Sequence, residues 1–167
     1  MILTGPEIHR QVCEGNIEIA PFIYDHLNPN SYNYRLGPLV LTLDRQGKPE
    51  GSPHDLREQP LILQPHRTYL GHTAEMIGSR RFVTMLNGRS SVGRLGMYLN
   101  ISADLGQLGP SHQWTLEITV VQPLRVYFQM RVGQATFWIP QGLIVEYMGE
   151  YAKRSDPTPS LDRGGPC

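Results

Sequence analysis

The sequence predicts a mainly β chain, closed into a barrel or a jelly-roll-like sandwich, with one short helix near its N-terminus. Three observations predict it. Gly and Pro are plentiful, 17 and 14 of 167 residues, as in chains built from many turns. Short apolar runs recur between turn signals at the rhythm of an all-β domain. Helical apolar spacing is confined to one stretch at the start.

The elements follow in order. Thr4-Gly5-Pro6-Glu7 reads as a helix start, with Thr4 as cap, Pro6 in the first turn and Glu7 at the capping-box position. Ile8, Gln11 and Val12 continue at helical spacing, and Gly15-Asn16 is the stop. Strands are expected at 17–20 and 32–36, which alternate, and at the apolar-rich 39–43, which ends in the turn Asp44-Arg45-Gln46-Gly47. Residues 48–60 are polar, carry three prolines and read as a loop. Further strands are expected at 61–63, 68–71, 81–86, 114–121, 124–128 and 135–139. From Tyr147 the chain turns polar and rich in Pro and Gly. It divides into a β domain over 1–146 and a flexible tail over 147–167.

Composition narrows the function. Lys plus Arg and Asp plus Glu both number 15, the net charge is +0, and the basic residues are scattered. Such a balance gives no broad attraction to nucleic acid or to an anionic membrane. No apolar run approaches a membrane span, and the N-terminus has neither the basic nor the apolar region of a signal peptide. Cys13 and Cys167 lie at opposite ends, which argues against a disulfide framework and for a reducing, cytoplasmic setting. His9, His26, His54, His66, His72 and His112 read as surface or loop residues without a cysteine partner, so no metal site is expected. The Pro-Cys-x-x-Cys run of zinc deaminases is missing.

Two segments carry chemistry. Along the strand Trp114–Val120, side chains alternate between two faces. Trp114, Leu116, Ile118 and Val120 take the core side, while Thr115, Glu117 and Thr119 set a carboxylate between two hydroxyls. Upstream, Gly88-Arg89-Ser90-Ser91 offers a cation, two hydroxyls and backbone N–H groups, a cradle for phosphate oxygens or a polar base edge.

Gly-Arg-Ser-Ser-x-x-Arg at 88–94, with Glu117 following Arg94 at an interval of 23 positions that needs no alignment gap, resembles the dCTP deaminase branch of the dUTPase-like superfamily. So do Met1-Ile2-Leu3-Thr4 with Glu7-Ile8, Ser31–Gly37, Val132–Phe137 and Asp156-Pro157-Thr158-Pro159-Ser160, which together span nearly the whole chain. The resemblance implies a distorted jelly-roll, dUTPase-like β-barrel. It implies zinc-independent hydrolytic deamination of a cytosine deoxynucleotide, dCTP to dUTP and ammonia. Glu117 would be base and then acid. Arg94 would orient the water or base and stabilise developing charge, and Ser90 would hold the attacking water or the base edge. Arg89 and Ser91 would bind phosphate, while Ala103, Gln107, Thr115, Tyr147 and Arg154 would contact substrate. It also implies a homotrimer with sites between subunits, Mg²⁺ carried on the triphosphate, and a tail that closes over the site.

Departures open alternatives. Gln107 stands where the family has an Asp on the sugar 3′-hydroxyl, which argues against dUTP hydrolysis. Leu105, Glu150, Arg154 and Asn33 also depart from the pattern. The chain could then act on another cytosine nucleotide, or be a non-catalytic nucleotide-binding relative.

Overall fold

In the computed structural model, which describes residues 1–100 and 103–161, helix α1 runs Gly5–Cys13. Pro6 stands in the first turn, where its missing N–H has no intrahelical partner to lose. Thr4 occupies the N-cap position but makes no side-chain cap bond, so the expected capping box does not form. Glu7 is drawn one turn forward instead. It accepts from Arg10 at 2.6 and 2.9 Å and from Gln11 at 2.8 Å, and the Arg10 guanidinium holds its carboxyl down to about 2. Gly15, at φ +74°, ends the helix as expected.

Fourteen strands are found among the described residues. In chain order they are β1 (Glu18–Ala20), β2 (Leu27–Asn28), β3 (Ser31–Arg35), β4 (Leu39–Leu43), β5 (His54–Asp55), β6 (Leu61–Leu63), β7 (Thr68–His72), β8 (Met76–Ser79), β9 (Val83–Gly88), β10 (Met97–Leu99), β11 (Gly109–His112), β12 (Thr115–Val120), β13 (Leu124–Val126) and β14 (Arg131–Trp138). They form sheets of order β1-β8-β11, β10-β12-β7-β4-β5, β13-β6 and β2-β3-β14-β9, with every pair antiparallel. The fold is mainly β with a short N-terminal helix, as the sequence predicts. β2, β5, β8, β10 and β11 went unforeseen. They are two to four residues long, and strings such as Gly109-Pro110-Ser111-His112 carry turn residues that tertiary pairing overrides.

One core joins the sheets. Ile8 of α1, Tyr32 and Tyr34 of β3, Leu116 and Ile118 of β12 and Phe137 of β14 are all completely buried within it. β3 is buried along its whole length between β2 and β14. It carries Arg35, whose Nε donates to Glu75 Oε1 at 2.6 Å and whose backbone N–H donates to Oε2 at 2.9 Å. Asn33 also lies on β3 and is buried in the core rather than near a cleft.

Two readings of the histidines need correction. His72 is a core residue, 2% exposed, with Nδ1 3.0 Å from the Thr73 carbonyl; burial pulls its pKa down. It sits against Gly37, which leaves room for its ring where a Cβ would fall 2.4 Å from it. His9 does have a cysteine partner, since Cys13 Sγ lies 3.6 Å from its Nε2 one turn along α1.

Candidate active site

The strand face that carries Glu117 opens into a cleft of about 730 Å³, a volume in the range of small-molecule sites. β12 buries Leu116, Ile118 and Val120 and turns Thr115, Glu117 and Thr119 outward. All three outward residues line the cleft, so the alternation read from sequence is the observed one. Glu117 is the one carboxylate among the described lining residues, and Arg154 the one Lys or Arg. No group of three His, Cys, Asp or Glu side chains converges to hold a metal ion among the described residues.

Residues 103–107 form the facing wall. Leu86 N–H donates to the Asp104 carbonyl at 2.9 Å and Gly106 N–H to the Thr84 carbonyl at 2.8 Å, which lays this strip along β9. Alternation then turns Ala103, Leu105 and Gln107 into the cleft and Asp104 away from it, where Asp104 Oδ2 accepts from Asn87 at 3.2 Å. Gly106 permits the close passage: a Cβ there would meet the Trp114 ring at 2.5 Å and the Thr84 carbonyl oxygen at 2.7 Å.

Trp114 and His112 build an aromatic end wall. The Trp114 indole N–H donates to the Ile77 carbonyl at 2.8 Å, and the His112 ring stands over it with centroids 4.2 Å apart. Burial lowers the His112 pKa, which favours the neutral ring.

The tail supplies the roof. Tyr147 N–H donates to the Leu108 carbonyl at 2.7 Å. A single 3₁₀ turn, Glu150–Lys153, follows, and Pro157 is buried. Thr115 Oγ1 accepts from Thr158 N–H at 3.2 Å and lies 3.4 Å from the Asp156 carbonyl, to which it donates. Thr115, expected to touch substrate, is here occupied with the tail. Tyr147, Tyr151 and Arg154 line the cleft from this side. The last six residues, 162–167, with Gly164, Gly165 and Cys167, lie outside the described part.

The Gly-Arg-Ser-Ser segment is elsewhere. Ser90–Gly93 forms a one-turn helix, α2. Arg89, Ser90, Ser91 and Arg94 are not among the residues lining the cleft; both serines and Arg94 are exposed and Arg89 is half-buried. Part of the row of N–H groups here is used within the fold. Arg89 N–H donates to the Val132 carbonyl at 3.1 Å, and those of Val92, Gly93 and Arg94 close the helical turn. Within one chain, then, Glu117, Ala103, Gln107, Thr115, Tyr147 and Arg154 come together, and the cradle stands apart.

Asn100, His112, Trp114 and Tyr151 also line the cleft and were not singled out from sequence. Trp114 was read as core because its alternation partners are. Asn100 carries no sequence signal, since its role depends on a backbone turn.

Comparisons with known proteins place the chain among relatives. The model of the family described as dCTP deaminase-like matches residues 2–139. The protein named "dCTP deaminase, dUMP-forming" of Hathewaya histolytica is 40% identical over 167 residues, 96% of each chain. That of Leptospira biflexa is 41% identical, covering 96% of this chain and 95% of its own. A protein of Rhodopirellula baltica named "dCTP deaminase" is 38% identical, covering 96% of this chain and 84% of its own. The crystal structure of 2′-deoxycytidine 5′-triphosphate deaminase from Agrobacterium tumefaciens has the same fold, with a TM-score of 0.65 at 21% identity. The match covers 83% of this chain and 48% of that one, so the present chain spans about half of that structure. With a family model matched over most of its length and relatives near 40% identity along 96% of it, the chain is an enzyme of the dCTP deaminase-like family.

Proposed function

We infer that the chain deaminates dCTP at C4 without zinc, releasing ammonia. The observation that carries this is Glu117, the one described carboxylate in a nucleotide-sized cleft, set between Thr115 and Thr119. Its carboxylate takes a proton from water, the hydroxide adds to C4, and the same proton passes to the departing amine. Both transfers are within the competence of one positioned carboxylate.

A triphosphate needs more positive charge than Arg154 gives. Arg89 and Arg94, with Ser90 and Ser91, are displayed on the surface of the same chain but outside its own cleft. A second copy would bring them to that cleft, which is the arrangement of a homotrimer with shared sites. The exposed apolar run at Leu143 (94%), Val145 (75%) and Met148 (78%) is surface that an assembly would cover. Light scattering is expected to give about three times the chain mass; a monomer at micromolar concentration would refute shared sites. Mg²⁺ would arrive with the substrate, coordinated by the phosphates and water. A cytoplasmic location fits an enzyme of nucleotide metabolism; no described helix is long and apolar enough to cross a membrane.

The direct product of deamination is dUTP. A second reading, onward cleavage to dUMP, is favoured by the "dUMP-forming" relatives. Gln107 opposes it, because an amide takes no proton from water at neutral pH. Following ammonia and pyrophosphate together, with dCTP and dUTP as substrates, tests both. Ammonia without pyrophosphate is expected. Pyrophosphate release from dUTP would establish the dUMP product, and absence of ammonia release would overturn the assignment.

Removing the tail after Gly149 strips Tyr151, Arg154 and Thr158 from the cleft. Truncated protein is expected to keep its assembly but to bind dCTP more weakly and turn it over more slowly, since water then reaches Glu117. Unchanged kinetics would make the tail a passive extension.

A further inference from the structure

We propose that Asn100 is a positioning residue for Glu117: its side chain completes the strand ladder at Glu117 while its backbone leaves that ladder to open the cleft. The catalytic part of this proposal rests on the deaminase reading above; the structural part does not.

β10 pairs with β12 in the register Met97–Val120, Tyr98–Thr119 and Leu99–Ile118. One step further puts Asn100 opposite Glu117. In a regular antiparallel ladder such a pair exchanges two backbone bonds, N–H to C=O in each direction. Only one is made here. Asn100 N–H donates to the Glu117 carbonyl at 3.0 Å. The other is made by the side chain, because Glu117 N–H donates to Asn100 Oδ1 at 2.8 Å.

The substitution follows from the backbone. Asn100 has φ +46°, a left-handed conformation that few residues other than Gly adopt and that Asn tolerates. That turn aims its own carbonyl away from β12, toward Ala103 N–H at 3.4 Å. The chain then returns along β9, and Ala103 enters the cleft. Had the ladder continued, β10 would have run on alongside Glu117. Had it ended in a residue without an acceptor, the Glu117 N–H would have lost its partner at the strand position that must hold the carboxylate still. Asn supplies the two properties together, tolerance of positive φ and a side-chain acceptor of the right length. Asn100 is itself 6% exposed, so its amide is fixed by its surroundings. On its other flank Glu117 stands opposite Leu70 of β7, and the Asn100 clamp therefore completes the frame around the acid.

Three substitutions separate the parts. Asn100→Gly keeps access to positive φ and removes the acceptor. Asn100→Asp keeps both. Asn100→Ala loses both. For Asn100→Gly the expected result is a folded protein in which the Glu117 amide exchanges with solvent faster than in wild type. Its kcat for dCTP should fall about tenfold or more with KM changed less than about threefold, since a small displacement of a reacting group costs rate rather than affinity. Asn100→Asp is expected to restore most of kcat, and Asn100→Ala to be the least stable of the three. The proposal is overturned if Asn100→Gly keeps wild-type kcat, or if Asn100→Asp loses as much as Asn100→Gly. Should Asn100→Gly fail to fold, the Asp variant still decides by its kcat. Should wild type release no ammonia from dCTP, the deaminase reading fails, and amide exchange at Glu117 alone decides the clamp.

Discussion

Glu117→Gln is expected to keep the fold and nucleotide binding and to lose deamination by about 10²–10⁴-fold, the usual effect of removing a positioned acid–base group. The amide has the size of the carboxylate and can still hydrogen-bond, but it cannot take the proton from water. Because Glu117 projects from β12 into the cleft while its neighbours Leu116 and Ile118 fill the core, the change leaves packing untouched. Ammonia release and calorimetric binding of dCTP on one sample check this together. Turnover equal to wild type would remove Glu117 from the chemistry.

The second large effect concerns stability. Glu75→Ala is expected to cost about 3–5 kcal/mol, because it leaves a buried guanidinium without its counter-charge. Glu75 is fully buried and Arg35 is 7% exposed. The carboxylate takes both the Arg35 side chain and its backbone N–H, and among the described residues the Arg35 guanidinium donates otherwise to Gln129 Oε1, at 3.2 Å. Replacing both members by apolar residues, as in Arg35→Met with Glu75→Leu, is expected to recover most of the loss, since the penalty lies in the unpaired ion. Urea denaturation of the two variants checks this. A single variant within about 1 kcal/mol of wild type would mean that water reaches the Arg35 head, contrary to its burial.

Much of this was legible in the sequence, for definite reasons. α1 announces itself by Pro6 and Gly15, one at each end, and β12 by strict alternation, which puts Glu117 on the open face. Leu39–Leu43 and Leu61–Leu63 were bounded by turn residues and came out at their expected limits. Legibility fails where long-range pairing decides. β8 and β11 are strands because β8 pairs with both β1 and β11, although Gly78 and Gly109-Pro110 are poor strand formers. Thr4 looks like a capping-box residue, but Arg10 competes for Glu7 one turn on, and the nearer charge prevails. His72 looks like a loop histidine until Gly37 makes room for its ring. The site divides the same way. The Thr115-Glu117-Thr119 face could be read directly, whereas the Asn100 clamp needed a backbone dihedral and the separation of Arg89–Arg94 from Glu117 needed the whole topology.

That separation is where the account is most exposed, and a subunit-mixing experiment reaches it directly. Glu117→Gln and Arg94→Ala each disable one half of a shared site. Equal amounts are mixed under conditions that exchange subunits, and ammonia release from dCTP is measured. If each site takes Glu117 from one copy and Arg94 from another, random assembly restores about a quarter of the sites, and activity rises well above the sum of the separate variants. If the mixture, with exchange demonstrated, stays at that sum, the two halves belong to one chain or play no part in the same reaction.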